Sequence, residues 1–145
     1  MRWDVEAIAK LREYTVRKAA LDNLPAEIER LEQEYGRIRS ATTDGTPVRG
    51  GGNAREDMLL SNICLREELK LRLADTQEWI ATMDNALAAL TDEERLVLDR
   101  FYINPHKGSI DRLCGELNME LAGVYKRKGK ALRRLTIILY GCVES

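Results

Sequence analysis

The sequence predicts an all-α protein: a long helical hairpin of coiled-coil character over residues 1–90, then a compact helical domain over residues 91–145. Three observations predict it. Apolar residues recur at steps of three and four, the spacing that builds one helical face. No stretch alternates apolar and polar residues as a half-buried strand would. The three prolines, Pro25, Pro47 and Pro105, each fall where an apolar pattern breaks, as expected of residues that disturb helical geometry around them.

A first helix is predicted from Trp3 to Leu21, with Trp3, Ile8, Leu11, Tyr14 and Leu21 near one face. A second begins around Pro25, whose missing N–H is harmless in a first helical turn. Its Leu24, Ile28, Leu31, Tyr35 and Ile38 step by four, three, four and three, a short heptad seam. Residues 41–53 hold four glycines and no core pattern, so they read as a flexible loop. The glycine run there lacks the following Gly-Lys-Ser/Thr and the preceding strand of a phosphate-binding loop. A long helix then spans about Arg55 to Leu90, with a seam of Leu69, Leu73, Thr76, Ile80, Met83, Leu87 and Leu90. It cannot bury that stripe alone. Either the N-terminal helices fold back on it, or a second chain of a homodimer covers it.

The last third carries stronger local signals. Thr91-Asp-Glu-Glu94 is a capping box, in which hydroxyl and carboxylate satisfy orphan backbone donors reciprocally. The helix it opens bears Leu96, Val97, Leu98, Phe101 and Tyr102 and stops around Asn104-Pro105. Ser109 is the expected cap of a short helix through about Glu116, with Ile110, Leu113, Cys114 and Leu117 inward. Leu117-Asn118-Met119 makes a tight turn, where Asn118 suits the left-handed conformation. A final helix runs from about Glu120 to Tyr140, closed by Gly141. Three helices, the last two joined by a three-residue turn, are the signature of a helix-turn-helix domain.

On the final helix Leu121, Val124, Ala131, Leu132, Leu135 and Leu139 share one face. Lys126, Lys130 and Arg133 cluster opposite, flanked by Gly123, Arg127 and Arg134. Lys128 falls in the middle of the apolar face, where it must snorkel or pair with a carboxylate. Residues 121–135 hold six basic residues and no acidic one, whereas a merely solvated face usually mixes signs. The cations therefore predict double-stranded DNA as the partner, with phosphates neutralised and a helix entering the major groove. Gly123 permits close approach, and Arg112 on the preceding helix is placed to meet the backbone.

Leu90 to Tyr102 resembles the opening helix of region 4 of sigma-70-type factors, and Leu113 to Leu135 resembles that region's helix-turn-helix. The ending from Val124 to Gly141, with Lys130-Ala-Leu-Arg-Arg-Leu-Thr136, is similar to the RinA/ArpU-type late transcription regulators of Gram-positive phages and prophages. The motif-rich match covers about 50 residues; over residues 1–90 it is one of layout. It implies a sigma-factor-like activator of late or packaging genes, with host RNA polymerase as a further partner. Asn118 stands where region 4 usually has Gly, and Glu120 where it has a Ser/Thr cap. Leu121, Ala122 and Gly123 stand where sigma factors place long polar base-reading side chains. Ala122 remains able to meet a thymine methyl, while phosphate contacts and DNA shape carry more of the binding.

The net charge of −1, from 23 Lys+Arg against 24 Asp+Glu, is a sum of unlike parts. Residues 1–90 carry 13 basic and 16 acidic residues, and residues 91–145 carry 10 and 8. Cys64, Cys114 and Cys142 are scattered without CxxC pairs, supporting neither a disulfide framework nor a zinc site. His106 is the sole histidine, and no nucleophile–base set assembles around it. The expectation is a non-enzyme without metal or cofactor. No apolar run approaches the length of a membrane span, and the first residues lack a signal-peptide core, so a cytoplasmic protein of the bacterial host cell is expected. The rival reading is a helical protein–protein adaptor or RNA polymerase-binding modulator without specific DNA binding.

Overall fold

The 3/4 spacing of apolar residues materialises as long helices. A computed structural model describes residues 1–41 and 51–145. In it α1 spans Trp3–Ser40, α2 Gly51–Ala88, α3 Asp92–Leu98, α4 Ser109–Leu117 and α5 Leu121–Tyr140, and α3 continues as a π-helical turn over Asp99–Ile103. The all-α fold class holds. No described helix is long and apolar enough to cross a membrane.

The two helices expected before residue 40 are one. Pro25 lies inside α1, on its solvent side, where water can serve the Leu21 carbonyl that proline leaves without a donor. Of the expected loop 41–53, residues 42–50 lie outside the described residues, and Gly51–Asn53 already belong to α2.

The chain divides into two compact units, Met1–Arg17 with Trp79–Ser145, and Lys18–Glu78. The division is not at residue 90. The reason lies in the core of the first unit. Leu11 from α1, Met83, Ala86 and Leu87 from the end of α2, and Leu90 just after it are buried with Leu98, Tyr102, Ala131 and Leu135. A segment beginning at residue 91 would lack about half of its own core. A second cluster in this unit, Val97, Leu113 and Val124, joins α3, α4 and α5.

Polar contacts fix the same unit. Arg95 donates to the carbonyls of Leu87 and Leu90 (3.2 and 2.5 Å), so a guanidinium closes the C-terminus of α2, where the helix dipole favours a cation. Trp3 stacks on Tyr140 at 4.8 Å between centroids and donates its indole N–H to Ser145 Oγ (3.0 Å). The Trp3 amide donates to the Val143 carbonyl (2.9 Å).

In the second unit α1 and α2 bury Ile28, Leu31 and Leu69, with Leu24 and Leu73 packed alongside. One buried polar side chain interrupts this seam: Asn62 donates to the Leu31 carbonyl (2.9 Å) and accepts from Arg66 Nε (2.8 Å).

Candidate nucleic-acid interface

The cation-bearing helix is set in place by local chemistry. The capping box is closed on both sides: the Thr91 amide donates to Glu94 Oε1 (3.0 Å) and the Glu94 amide to Thr91 Oγ1 (3.2 Å). Asn118 adopts the left-handed conformation, φ 51° and ψ 45°, turning the chain between α4 and α5. Gly141 ends α5 at φ 80°. Ser109, expected as the cap of α4, is instead its buried first residue, and Gly108 holds the cap position at φ 81°. The Ser109 hydroxyl donates back to the His106 carbonyl (2.7 Å), closing the loop that carries His106.

The predicted binding residues separate into two groups. Arg127 lies 3.3 Å from Glu93 Oε1, and Arg134 lies 2.5 Å from Glu94 Oε1. The Glu93 oxygen is buried and makes no aligned hydrogen bond, so that pair is held by charge alone. Glu94 uses one oxygen for both the capping box and Arg134. The acidic first turn of α3, favourable for its own helix dipole, thus neutralises the two arginines on the near side of α5.

Lys126, Lys130 and Arg133 are exposed on α5 and make no ion pair among the described residues. With Ala122 and Gly129 they form one outward stripe at helical spacing. Beside it lies an open groove of about 470 Å³ lined by Met119, Glu120, Gly123, Lys126, Arg127 and Lys130. A Cβ on Gly123 would meet Met119 Cβ at 3.6 Å, an ordinary contact, so the turn does not require glycine there. The missing side chain keeps the groove open. A second groove of about 600 Å³, between the start of α3 and α5, is shared by Lys130 and both paired arginines. Glu120 is exposed at the start of α5 and makes no capping hydrogen bond. Arg112 is exposed on α4 and makes no ion pair among the described residues.

Sequence reasoning missed three features. Leu121 is not part of the buried face; it is 52% exposed. Lys128 meets no carboxylate among the described residues: its half-buried side chain sets the ammonium over the rings of Tyr125 (4.8 Å) and Phe101 (5.1 Å), a cation–π arrangement. The acidic partners of Arg127 and Arg134 were legible only as a run, Asp92-Glu93-Glu94, with nothing to say where it points. Among the described residues no cluster of three metal-ligating side chains occurs. No family model matches the chain, and no curated protein or solved structure matches it.

Proposed function

We propose that this chain is a DNA-binding transcription regulator rather than an enzyme, a sigma-factor-like activator of late or packaging genes of the RinA/ArpU type. Helix α5 lies in the major groove, and Lys126, Lys130 and Arg133 neutralise phosphates. Arg112 adds a backbone contact, host RNA polymerase is the protein partner, and the bacterial cytoplasm is the site of action. The observation that carries this reading is the stripe of three unpaired cations on a helix whose 20 residues include no acid. Their nearest cationic neighbours are already neutralised within the chain, so the remaining three have only an external anion to meet.

The test is fluorescence anisotropy of the full chain on duplex DNA as salt is raised. Four phosphate contacts, three from α5 and one from Arg112, give a slope of log K against log salt of about −3.6. Replacing Lys126, Lys130 and Arg133 together by Ala should abolish binding to DNA of any sequence. Salt-independent or absent binding by the unsubstituted chain would sink the proposal. The full chain is the proper material, because residues 91–145 alone lack Leu11, Met83 and Leu87 of their core.

A second reading, a helical protein–protein adaptor or RNA polymerase-binding modulator without specific DNA binding, is favoured by large apolar side chains left in solvent. Val16 on α1 is 73% exposed, and Leu60 and Leu71 on α2 are 60% and 69% exposed. The triple alanine variant separates the two readings, since an adaptor keeps its function without those cations.

A further inference from the structure

Resting on the DNA-binding reading above, we infer that the leading edge of α5 reads thymine by its 5-methyl group, through Leu121, Ala122 and Tyr125. Val124, the residue between them that belongs to the core, is fully buried, yet Leu121 is 52% and Tyr125 45% exposed. Ala122 is exposed as well. Leu121 and Tyr125 are one helical turn apart on the same side of α5, and Ala122 adjoins them.

The Tyr125 ring is held in place on the surface. It meets the Phe101 ring edge-on at 5.4 Å, with an interplanar angle of 68°, and carries the Lys128 ammonium 4.8 Å from its centroid. Ala122, one helical turn before Lys126, joins this apolar edge to the stripe of Lys126, Lys130 and Arg133, which lies on the other side of α5 from Leu121.

The occupant must match both halves. Where it meets Leu121 and Ala122 it must be apolar, because neither side chain offers a donor or acceptor. Where it passes Lys126, one turn beyond Ala122, it must be anionic. In the major groove thymine alone among the bases presents a methyl group, and phosphates flank it on both sides. Polar groove edges would be desolvated against these side chains without compensation.

Removing or adding that methyl alone tests the inference. The full chain is titrated onto duplexes of about 21 base pairs, two helical turns: alternating dA-dT against alternating dA-dU, and alternating dG-dC against its 5-methylcytosine form. Each methyl contacted should strengthen binding about fourfold, the effect of burying one methyl-sized group. The expected result is tighter binding to the methylated member of both pairs. Leu121→Ala should narrow both differences while leaving the salt slope and the thermal unfolding curve unchanged. Equal affinity within each pair, with salt-dependent binding intact, would overturn the methyl readout and leave DNA binding standing. No salt-dependent binding to any of the four duplexes would instead remove the DNA-binding reading, and this inference with it. A methyl preference that Leu121→Ala leaves untouched would also overturn the assignment, because the readout would then lie elsewhere.

Discussion

The two compact units are built from the same pair of long helices, yet they bury them differently. In the first, Leu11, Met83, Leu98, Leu113, Val124 and Leu135 are essentially inaccessible to solvent. In the second, the buried apolar side chains are Ile28, Leu31 and Leu69, each with a trace of exposure. The apolar spacing along α1 and α2 is similar in both. What differs is the number of elements available to cover it. A two-helix pair covers one seam, whereas added helices enclose a broad face. The units also differ in charge: the first carries 14 Lys/Arg against 12 Asp/Glu, the second 9 against 12. Helical periodicity measures the capacity to be buried, and neighbours decide how much of that capacity is used.

The largest expected effect follows from this contrast. Leu98→Ala, in the fully enclosed core, should lower stability by about 3–5 kcal/mol, and Leu31→Ala in the hairpin by about 2–3 kcal/mol, since a half-open seam collapses more easily onto the void. Urea unfolding midpoints of the two variants check it. Equal losses would break the comparison and mean that the second unit is as tightly enclosed as the first.

Each unit also ties α1 to α2 through side-chain hydrogen bonding, and the ties differ in kind. In the second unit the amide of Asn62 donates to the Leu31 carbonyl, and the Arg55 guanidinium donates to the Ile38 and Arg39 carbonyls. Asn62→Ala should cost about 1–2 kcal/mol, because Arg66 loses its acceptor while the Leu31 carbonyl can still be served by its own helix. The same urea titration reads it. A loss beyond that of Leu31→Ala would reverse the ranking and make the polar contact the main fastening of the hairpin.

How much of this was legible beforehand follows from the range over which each signal acts. The Thr91 capping box, the left-handed Asn118 and the terminating Gly141 depend on residues within a turn or two, and all three stand as the sequence indicates. Pro25 does not begin a second helix, because the local preference of proline for a first helical turn is overridden when flanking turns pack, as Ile28 and Leu31 do. Leu121 was misjudged for a related reason. It lies about 60° round the helix from Val124, within the apolar arc, but none of the described elements covers it, and it is left 52% exposed. The partition of the cations was beyond local reading altogether: Arg134 and Glu94 are 40 residues apart. Sequence located the cationic helix, and only the fold distinguished the neutralised arginines from the unpaired stripe.

The smallest effect concerns the corresponding tie in the first unit, where Tyr14 on α1 donates its phenolic proton to Asp84 Oδ1 on α2. Burial, reinforced by the hydrogen bond and the negative charge of Asp84, pushes the Tyr14 pKa up to about 12, against about 10 for a free phenol. Below pH 10 both folded and unfolded chains keep this proton, and the contact contributes fully. From pH 10 upward the unfolded chain releases it while the folded chain holds it, so the contribution declines and is gone once the pH passes about 12. The Asn62 tie does not titrate. The stability difference between the unsubstituted chain and Tyr14→Phe should therefore stay level below pH 10 and change above it, whereas the difference for Asn62→Ala should stay level throughout. Tyr102, also raised by burial, is present in both arms of the Tyr14 comparison and largely cancels. Urea midpoints measured across pH 8–12 decide the matter, and a Tyr14→Phe difference as flat as that of Asn62→Ala would show that the two ties do not differ in this respect.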